Sequence, residues 1–175
     1  MNDREWIHQK LKRFEAPLIL YARRITGDID RARDAVQETF LELCAAPRET
    51  VEPHLAEWLF TVCRNKSLDI RRKEEVMNIS HDAPAIERAS QERDPAGVME
   101  EGEEKSRVLA VLASLPDNQQ EVLRLKFQSG LSYKAISGVT GHSVSNVGFL
   151  IHVGLRALRE KLTVRTVGEM QGRLS

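Results

Sequence analysis

Two short helical patterns separated by a glycine-containing turn, in residues 131–147, constrain the fold of this chain more than any other feature. Ser132 is placed to cap the first pattern, because its hydroxyl can accept a hydrogen bond from an unpaired backbone N–H. Ile136 and Val139 then form an apolar face, and Gly141 follows where a left-handed residue ends a helix without steric cost. The pattern predicts a helix-turn-helix.

The second helix of this motif begins after Ser143, whose hydroxyl is suited to cap it. Its apolar residues recur at helical spacing and are predicted to face inward: Val144, Val147, Leu150, Ile151, Leu155 and Leu158. Two helices joined in this way can lay the second helix into a DNA major groove. An ordinary helical hairpin is the alternative that these residues alone leave open.

The composition favours an all-α protein, since only 5% of the 175 residues are aromatic and 30% are charged. No apolar run approaches the roughly 20 residues that cross a bilayer, and the first residues lack the apolar core of a secretory signal. The two cysteines, Cys44 and Cys63, lie in apolar helical patterns, which predicts reduced core residues and not metal ligands. We therefore expect a cytoplasmic protein with no membrane insertion, no metal and no cofactor.

The formal net charge of zero hides an uneven distribution along the chain. Residues 76–105 hold three basic and eight acidic side chains, a balance of −5, whereas residues 106–175 hold nine basic and four acidic side chains, a balance of +5. Local charge governs affinity for nucleic acid, so overall neutrality does not exclude DNA as a partner.

Helical spacing predicts three helices in the N-terminal block, over about 4–26, 29–45 and 54–73. Pro17 is expected to kink or restart the first, because proline removes a helix hydrogen bond. Pro47 and Pro53 are expected to bracket a loop. These helices form a first domain over 1–75.

The C-terminal half is predicted to hold a second small helical domain. From residue 76 the apolar periodicity is lost, and residues 76–104 read as a flexible acidic linker. Residues 105–162 form a four-helix domain that contains the helix-turn-helix, and residues 163–175 are a weakly patterned tail. The predicted fold is therefore all-α, with two domains joined by the linker.

Two helix surfaces in the first domain carry candidate binding residues. The third helix ends in a run of five positive charges within ten residues, namely Arg64, Lys66, Arg71, Arg72 and Lys73. Such charges either complement the helix dipole at a solvated helix end or contact phosphates. Asn65 could reach a base edge, and Trp58 is either a core residue or a platform on which an unpaired base stacks.

The second helix presents four residues within two turns as one polar-edged surface: Asp34, Gln37, Glu38 and Leu41. A solvated helix face and a partner-binding face are both consistent with this pattern.

Several short motifs occur in order across both blocks. In the first block these are Tyr21-Ala22-Arg23-Arg24 with Gly27-Asp28, the stretch from Asp34 to Phe40, Trp58-Leu59-Phe60, Arg64-Asn65, Asp69 and Arg71-Arg72. In the second they are Leu115-Pro116, Glu121-Val122, Leu131-Ser132-Tyr133-Lys134 and Ala157-Leu158-Arg159. Taken together, the chain resembles bacterial RNA polymerase sigma factors of the extracytoplasmic-function (ECF) type, in their regions 2 and 4.

The resemblance implies a protein that catalyses nothing and directs core RNA polymerase to promoter DNA. The second helix would dock on the clamp helices of the polymerase through Asp34, Gln37, Glu38 and Leu41. The third helix and the loop at 46–53 would hold the opened strand of the −10 element, through Trp58, Arg64, Asn65, Asp69, Arg71, Arg72 and Lys73. The helix-turn-helix would read the −35 element, through Ser132, Lys134, His142, Ser143, Ser145, Asn146 and Phe149. An anti-sigma factor is a further implied partner.

Two features depart from the family pattern. Arg31 and Arg33 stand where the family usually has acidic residues, which would weaken or retune polymerase binding. The second helix of the helix-turn-helix has no Lys or Arg before Arg156. We therefore predict a weak contribution from the −35 element, with Phe149 on a thymine methyl, or a helix partly used for a protein partner.

Two other functions stay open on the sequence. A stand-alone helix-turn-helix regulator would bind duplex DNA without polymerase, and a sigma mimic would bind a regulator but no DNA. An enzyme is not expected, because the five histidines are scattered without nucleophile partners and there is no glycine-rich phosphate loop.

Overall fold

The computed structural model of the chain describes residues 2–80 and 101–172, and the chain divides into two helical units. The described residues contain no strand, so the predicted all-α class is confirmed. None of the helices in these two stretches is both long enough and apolar enough to span a bilayer.

Helix α1, Asp3–Thr26, begins with a capping box and ends at a glycine. The Asn2 side chain accepts a hydrogen bond from the Glu5 backbone N–H at 2.9 Å, and Gly27 closes the helix with a left-handed φ of 75°. The helix does not restart at Pro17, since it continues through that residue. Phe14 and Leu18 are buried on either side of Pro17, and this packing offsets the roughly 3 kcal/mol that an internal proline costs.

Helix α2, Ile29–Ala45, has the predicted bounds, and a short helical segment follows it. The expected loop between Pro47 and Pro53 is instead helix α3, Arg48–Val51, followed by a 3-10 turn, Glu52–His54. Both prolines occupy first-turn or capping positions, where a missing N–H breaks no helix hydrogen bond.

Helix α4, Leu55–Ser80, is longer than the predicted 54–73, because no glycine or proline stops it before Ser80. Its continuation also corrects the predicted linker of 76–104: residues 76–80 belong to α4 and residues 101–104 to the next helix. The rest of that linker lies outside the described residues.

The core of the first unit lies between α1, α2 and α4. Leu18, Leu43 and Phe60 are almost completely buried there, and the rings of Tyr21 and Phe60 meet edge to face at 5.3 Å. Cys63 lies in the same core, where burial raises the pKa of its thiol to about 12. The prediction that Cys44 is a core residue is wrong, since it lies exposed on the outer side of α2.

The second unit consists of four helices in its described part: α5, Glu101–Ala113; α6, Asp117–Phe127; α7, Tyr133–Thr140; and α8, Val144–Gly172. Gln120 joins α5 to α6, since its amide donates to the carbonyls of Ala113 at 3.0 Å and Leu115 at 2.7 Å. The predicted tail of 163–175 is corrected up to Gly172, because α8 continues to that residue.

Candidate nucleic-acid and partner surfaces

Two hydroxyl caps and one left-handed glycine, all predicted from the sequence, set the helix boundaries of the helix-turn-helix. The Ser132 hydroxyl accepts from the Ala135 backbone N–H at 3.1 Å and caps α7. Gly141 ends α7 with a φ of 77°, and the Ser143 hydroxyl accepts from the Asn146 N–H at 3.1 Å at the start of α8. Two of the residues predicted to bind the −35 element, Ser132 and Ser143, therefore have their hydroxyls engaged in capping.

A second set of hydrogen bonds fixes the turn between α7 and α8. The Ser137 hydroxyl donates to the His142 carbonyl at 2.6 Å, while the His142 backbone N–H donates to the Thr140 hydroxyl at 3.3 Å. Beneath the turn, Ile136 and Val147 are completely buried. These hydrogen bonds and buried side chains therefore fix the angle between α7 and α8.

The exposed face of the first turns of α8, as far as His152, carries no Lys or Arg. Ser145, Phe149 and His152 follow one another at helical spacing and are all exposed, with 62% of Phe149 accessible. Asn146 is also exposed, with its amide nitrogen 3.4 Å from His142 Nδ1. The predicted inward position of Val144 is wrong, since it is 47% exposed in the first turn.

One cation lies on the neighbouring helix of the motif, because Lys134 is exposed on α7. Lys126 is engaged differently, as its ammonium group lies 5.3 Å from the ring centre of Tyr133. The surface thus offers polar and apolar groups to a base edge and few charges to phosphates.

The C-terminal half of α4 holds the predicted basic run. Asn65, Asp69, Arg71, Arg72 and Lys73 are exposed, and Trp58 and Arg64 are partly buried. Arg72 pairs with Asp69 at 3.3 Å, and Arg71 pairs with Glu75 at 3.6 Å. Exposed pairs within one helix contribute little to stability, so a phosphate can displace either carboxylate.

Lys66 differs from the rest of the basic run, because it bridges two helices. Its ammonium group is 2.5 Å from Glu42 and 3.5 Å from Glu38, both on α2. The hydrogen bond that Lys66 donates to Glu42 raises the pKa of Lys66. Its charge is therefore already balanced within the first unit.

The predicted partner face of α2 lies on the surface. Asp34, Gln37, Glu38 and Leu41 are all exposed, and Leu41 presents 63% of its surface as an apolar centre within polar neighbours. Such a stripe suits an amphipathic contact with another helix.

The two arginines that depart from the family pattern are both paired. Arg31 forms an ion pair with Glu74 near the C-terminal end of α4, and Arg33 is 3.2 Å from Asp30 on its own helix. Arg31 therefore joins α2 to α4. No local pattern predicts this pair, because its partners are 43 positions apart.

A cluster that sequence reasoning missed joins α1 to the short helical segment after α2. Trp6 is 2% exposed, and its indole N–H donates to Glu52 at 2.9 Å. The Arg48 guanidinium lies 5.1 Å from the centre of the Trp6 ring and donates two hydrogen bonds to Glu52. The residues are up to 46 positions apart, so no local pattern indicates the contact.

Comparisons with known proteins agree with this arrangement. Residues 11–76 match the family model of sigma-70 region 2, and residues 105–158 match that of sigma-70 region 4. The chain is 31% identical over 156 residues to the ECF RNA polymerase sigma factor SigL of Mycobacterium tuberculosis, covering 87% of this chain and 85% of the relative. It is 33% identical over 130 residues to EcfG of Rhodopseudomonas palustris, covering 73% and 68%.

Two solved structures share the fold. The sigma factor RpoE of Bartonella quintana, in complex with the anti-sigma factor NepR, superposes with a TM-score of 0.65 at 23% identity, over 90% of this chain and 96% of that one. CnrH in complex with the cytosolic domain of CnrY gives a TM-score of 0.55 at 21% identity, over 93% and 91%.

Proposed function

This chain belongs to the ECF RNA polymerase sigma factors, which direct transcription initiation, and we propose that its two helical units divide promoter recognition between them. The observation that carries the proposal is that regions 2 and 4 occur in order in one chain, each with an exposed face on the helix expected to bind. The chain supplies recognition, and the polymerase supplies catalysis in the cytoplasm.

Core polymerase binds the exposed stripe of α2. Leu41 supplies the apolar contact, and Asp34, Gln37 and Glu38 surround it with polar groups. Arg31 and Arg33 do not oppose this docking with unbalanced charge, because each is paired with a carboxylate.

The opened strand of the −10 element binds along α4 and the segment of residues 46–54 that precedes it. Arg71, Arg72 and Lys73 attract the phosphates, which position the strand without reading its sequence. Trp58 and Asn65 are the candidates for contact with the bases.

The −35 element binds the helix-turn-helix as a duplex. Ser145, Asn146 and Phe149 on the exposed face of α8 meet the base edges, His142 flanks them, and Lys134 contacts phosphate. The caps Ser132 and Ser143 hold both helix starts in place. Because the similar RpoE structure contains an anti-sigma factor, we expect an anti-sigma partner here as well.

Run-off transcription from a promoter library, with purified core polymerase and with or without this protein, tests the proposal. Transcripts that share two upstream elements are expected only when the protein is present. Leu41→Asp should abolish core binding, while Leu20→Asp, at an equally exposed leucine on α1, serves as the matched control. Duplex binding without polymerase would favour a stand-alone regulator, and binding to neither core nor DNA would favour a sigma mimic.

A further inference from the structure

The interactions within residues 46–54 do little to hold the conformation of this segment. Pro47 caps α3 without a side-chain hydrogen bond, and α3 has only four residues. Within this segment Val51 is the buried apolar side chain. A segment this short has little intrinsic stability, so its conformation depends on what packs against it.

The cluster of Trp6, Arg48 and Glu52, called here the Trp6 cluster, supplies that packing. Each of the three side chains contacts the other two: indole N–H to carboxylate at 2.9 Å, guanidinium to carboxylate at 2.9 and 3.2 Å, and guanidinium over the indole ring at 5.1 Å. The hydrogen bonds that Arg48 and Trp6 donate favour the ionised carboxylate and lower the pKa of Glu52.

The first turns of α1 reinforce the cluster. Asp3 is 3.9 Å from Arg48, and the ammonium group of Lys10 lies 5.7 Å from the centre of the Trp6 ring. The capping box between Asn2 and Glu5 fixes the helix start from which Trp6 projects. The position of residues 48–52 is therefore set by the beginning of the chain.

Arg48 consequently connects Trp6 to Glu52, and its charge is already paired within the first unit. Outside the Trp6 cluster, the exposed polar side chains of the segment are Glu49, Thr50 and His54, beside the exposed Pro47 and Pro53. A change in the orientation of the segment would move these three side chains relative to any strand bound along α4.

We propose that the Trp6 cluster is a positioning device that sets the base preference of residues 46–54 at the −10 element. The inference rests on the proposed function, in which this segment contacts the opened strand. Trp6, Arg48 and Glu52 act as positioning residues, through Glu49, Thr50 and His54.

Two substitutions distinguish a role in positioning residues 46–54 from a role in stabilising the fold alone. Trp6→Phe keeps an aromatic ring for Arg48 but removes the N–H that donates to Glu52. Glu52→Gln keeps an acceptor for Trp6 but removes the charge that holds Arg48. Gln9→Ala, at an exposed neutral position on α1, is the matched control.

The test uses holoenzyme with the full chain and a panel of promoters in which each −10 position is changed singly. We expect Trp6→Phe and Glu52→Gln to lower base discrimination at one or two −10 positions by roughly three- to tenfold, the range that corresponds to the net contribution of one ordinary hydrogen bond. Core affinity and −35 preference should equal those of the wild type and of Gln9→Ala. The double variant should lose no more than the larger single loss, because the residues act as one unit.

A uniform fall in initiation on every promoter, matched by a lower melting temperature, would assign the cluster a purely structural role and overturn the inference. Unchanged −10 preferences in both variants would overturn it as well. If Trp6→Phe does not fold, Glu52→Gln decides the question. A wild-type holoenzyme without any −10 preference would instead defeat the proposed function, and the inference with it.

Discussion

In the proposed binding of the −35 duplex, Phe149 is the residue expected to make an apolar contact with a base where a charged contact is absent. It lies with Ser145 and His152 on the exposed face of α8, where 62% of its surface is accessible and no Lys or Arg occurs before Arg156. An aromatic side chain at a base edge recognises the apolar methyl group of thymine. Its contribution should therefore depend on a single methyl group of the DNA.

Uracil substitution tests this contact, because uracil lacks the methyl group and keeps every hydrogen-bonding group of thymine. Replacing the contacted −35 thymine by uracil should weaken promoter binding about fourfold, the equivalent of one methyl group removed from apolar contact. Phe149→Ala should abolish the difference between thymine and uracil. Phe127→Ala, at an equally exposed phenylalanine on α6, should retain it. Equal sensitivity to uracil in both variants would exclude Phe149 as the reader.

Lys66 and Lys73 provide a second comparison between single residues, in the same basic run of α4. Lys66 is held by Glu42 and Glu38, whereas Lys73 is exposed. Each phosphate contact that is lost should lower the slope of log affinity against log salt concentration by about one. Lys73→Gln should therefore reduce this slope for promoter binding by holoenzyme, and Lys66→Gln should leave it unchanged. Equal reductions would show that Lys66 leaves its glutamates to contact DNA.

At the scale of helices, two glycines in α8 differ in the space that surrounds them. A Cβ at Gly148 would lie 3.5 Å from the Tyr133 ring, which is an ordinary contact. A Cβ at Gly154 would lie 2.8 Å from Leu123 Cδ1, and Leu123 is buried in α6. Gly154 therefore permits the close approach of α6 and α8. Gly148 serves no such packing purpose and only lowers the stability of the helix.

Alanine at the two positions should consequently change stability in opposite directions. Gly148→Ala should raise the free energy of unfolding of the second unit by up to about 1 kcal/mol, the gain in helix propensity. Gly154→Ala should lower it, since overpacking costs roughly 1–3 kcal/mol. Urea denaturation followed by circular dichroism measures both. Trp6 and Trp58 lie in the first unit, so their fluorescence transition is an internal control that should not move. A stabilised Gly154→Ala would contradict the packing argument.

Helix starts and ends could be predicted where a local signal sets them. Ser132, Gly141 and Ser143 each act through residues within four positions, and all cap as their sequence context predicts. The extension of α4 to Ser80 was missed because the sequence offers no stop signal there and polar residues look like a linker. Pro17 was misjudged because packing on both sides outweighs its local preference.

The candidate surfaces likewise include some contacts that a local pattern predicts and others that depend on the packing of distant helices. Helical spacing alone predicted that Asp34, Gln37, Glu38 and Leu41 share one exposed face. The Trp6 cluster and the pair of Arg31 with Glu74 could not be predicted, because each joins side chains more than 40 positions apart. Contacts of that kind exist only once the helices have packed.

At the scale of the whole molecule, promoter affinity should be unequally shared between the two units. Residues 106–175 have a charge of +5, but the face of α8 that is proposed to meet the bases is nearly neutral. The basic run lies instead on α4 in the first unit. Since phosphate neutralisation supplies a large share of affinity for DNA, the −10 side should dominate.

Promoters with one element scrambled at a time measure this division. Scrambling the −35 element should lower initiation by roughly tenfold or less, and scrambling the −10 element by about a hundredfold or more, within the usual cost of mismatched sites. Ser145→Arg would add a cation to the exposed face of α8, and it should raise the −35 contribution and steepen the salt dependence by about one. Ser106→Arg, exposed on α5, controls for charge added elsewhere in the same unit. A −35 loss as large as the −10 loss would show that the neutral face of α8 binds as tightly as a basic one.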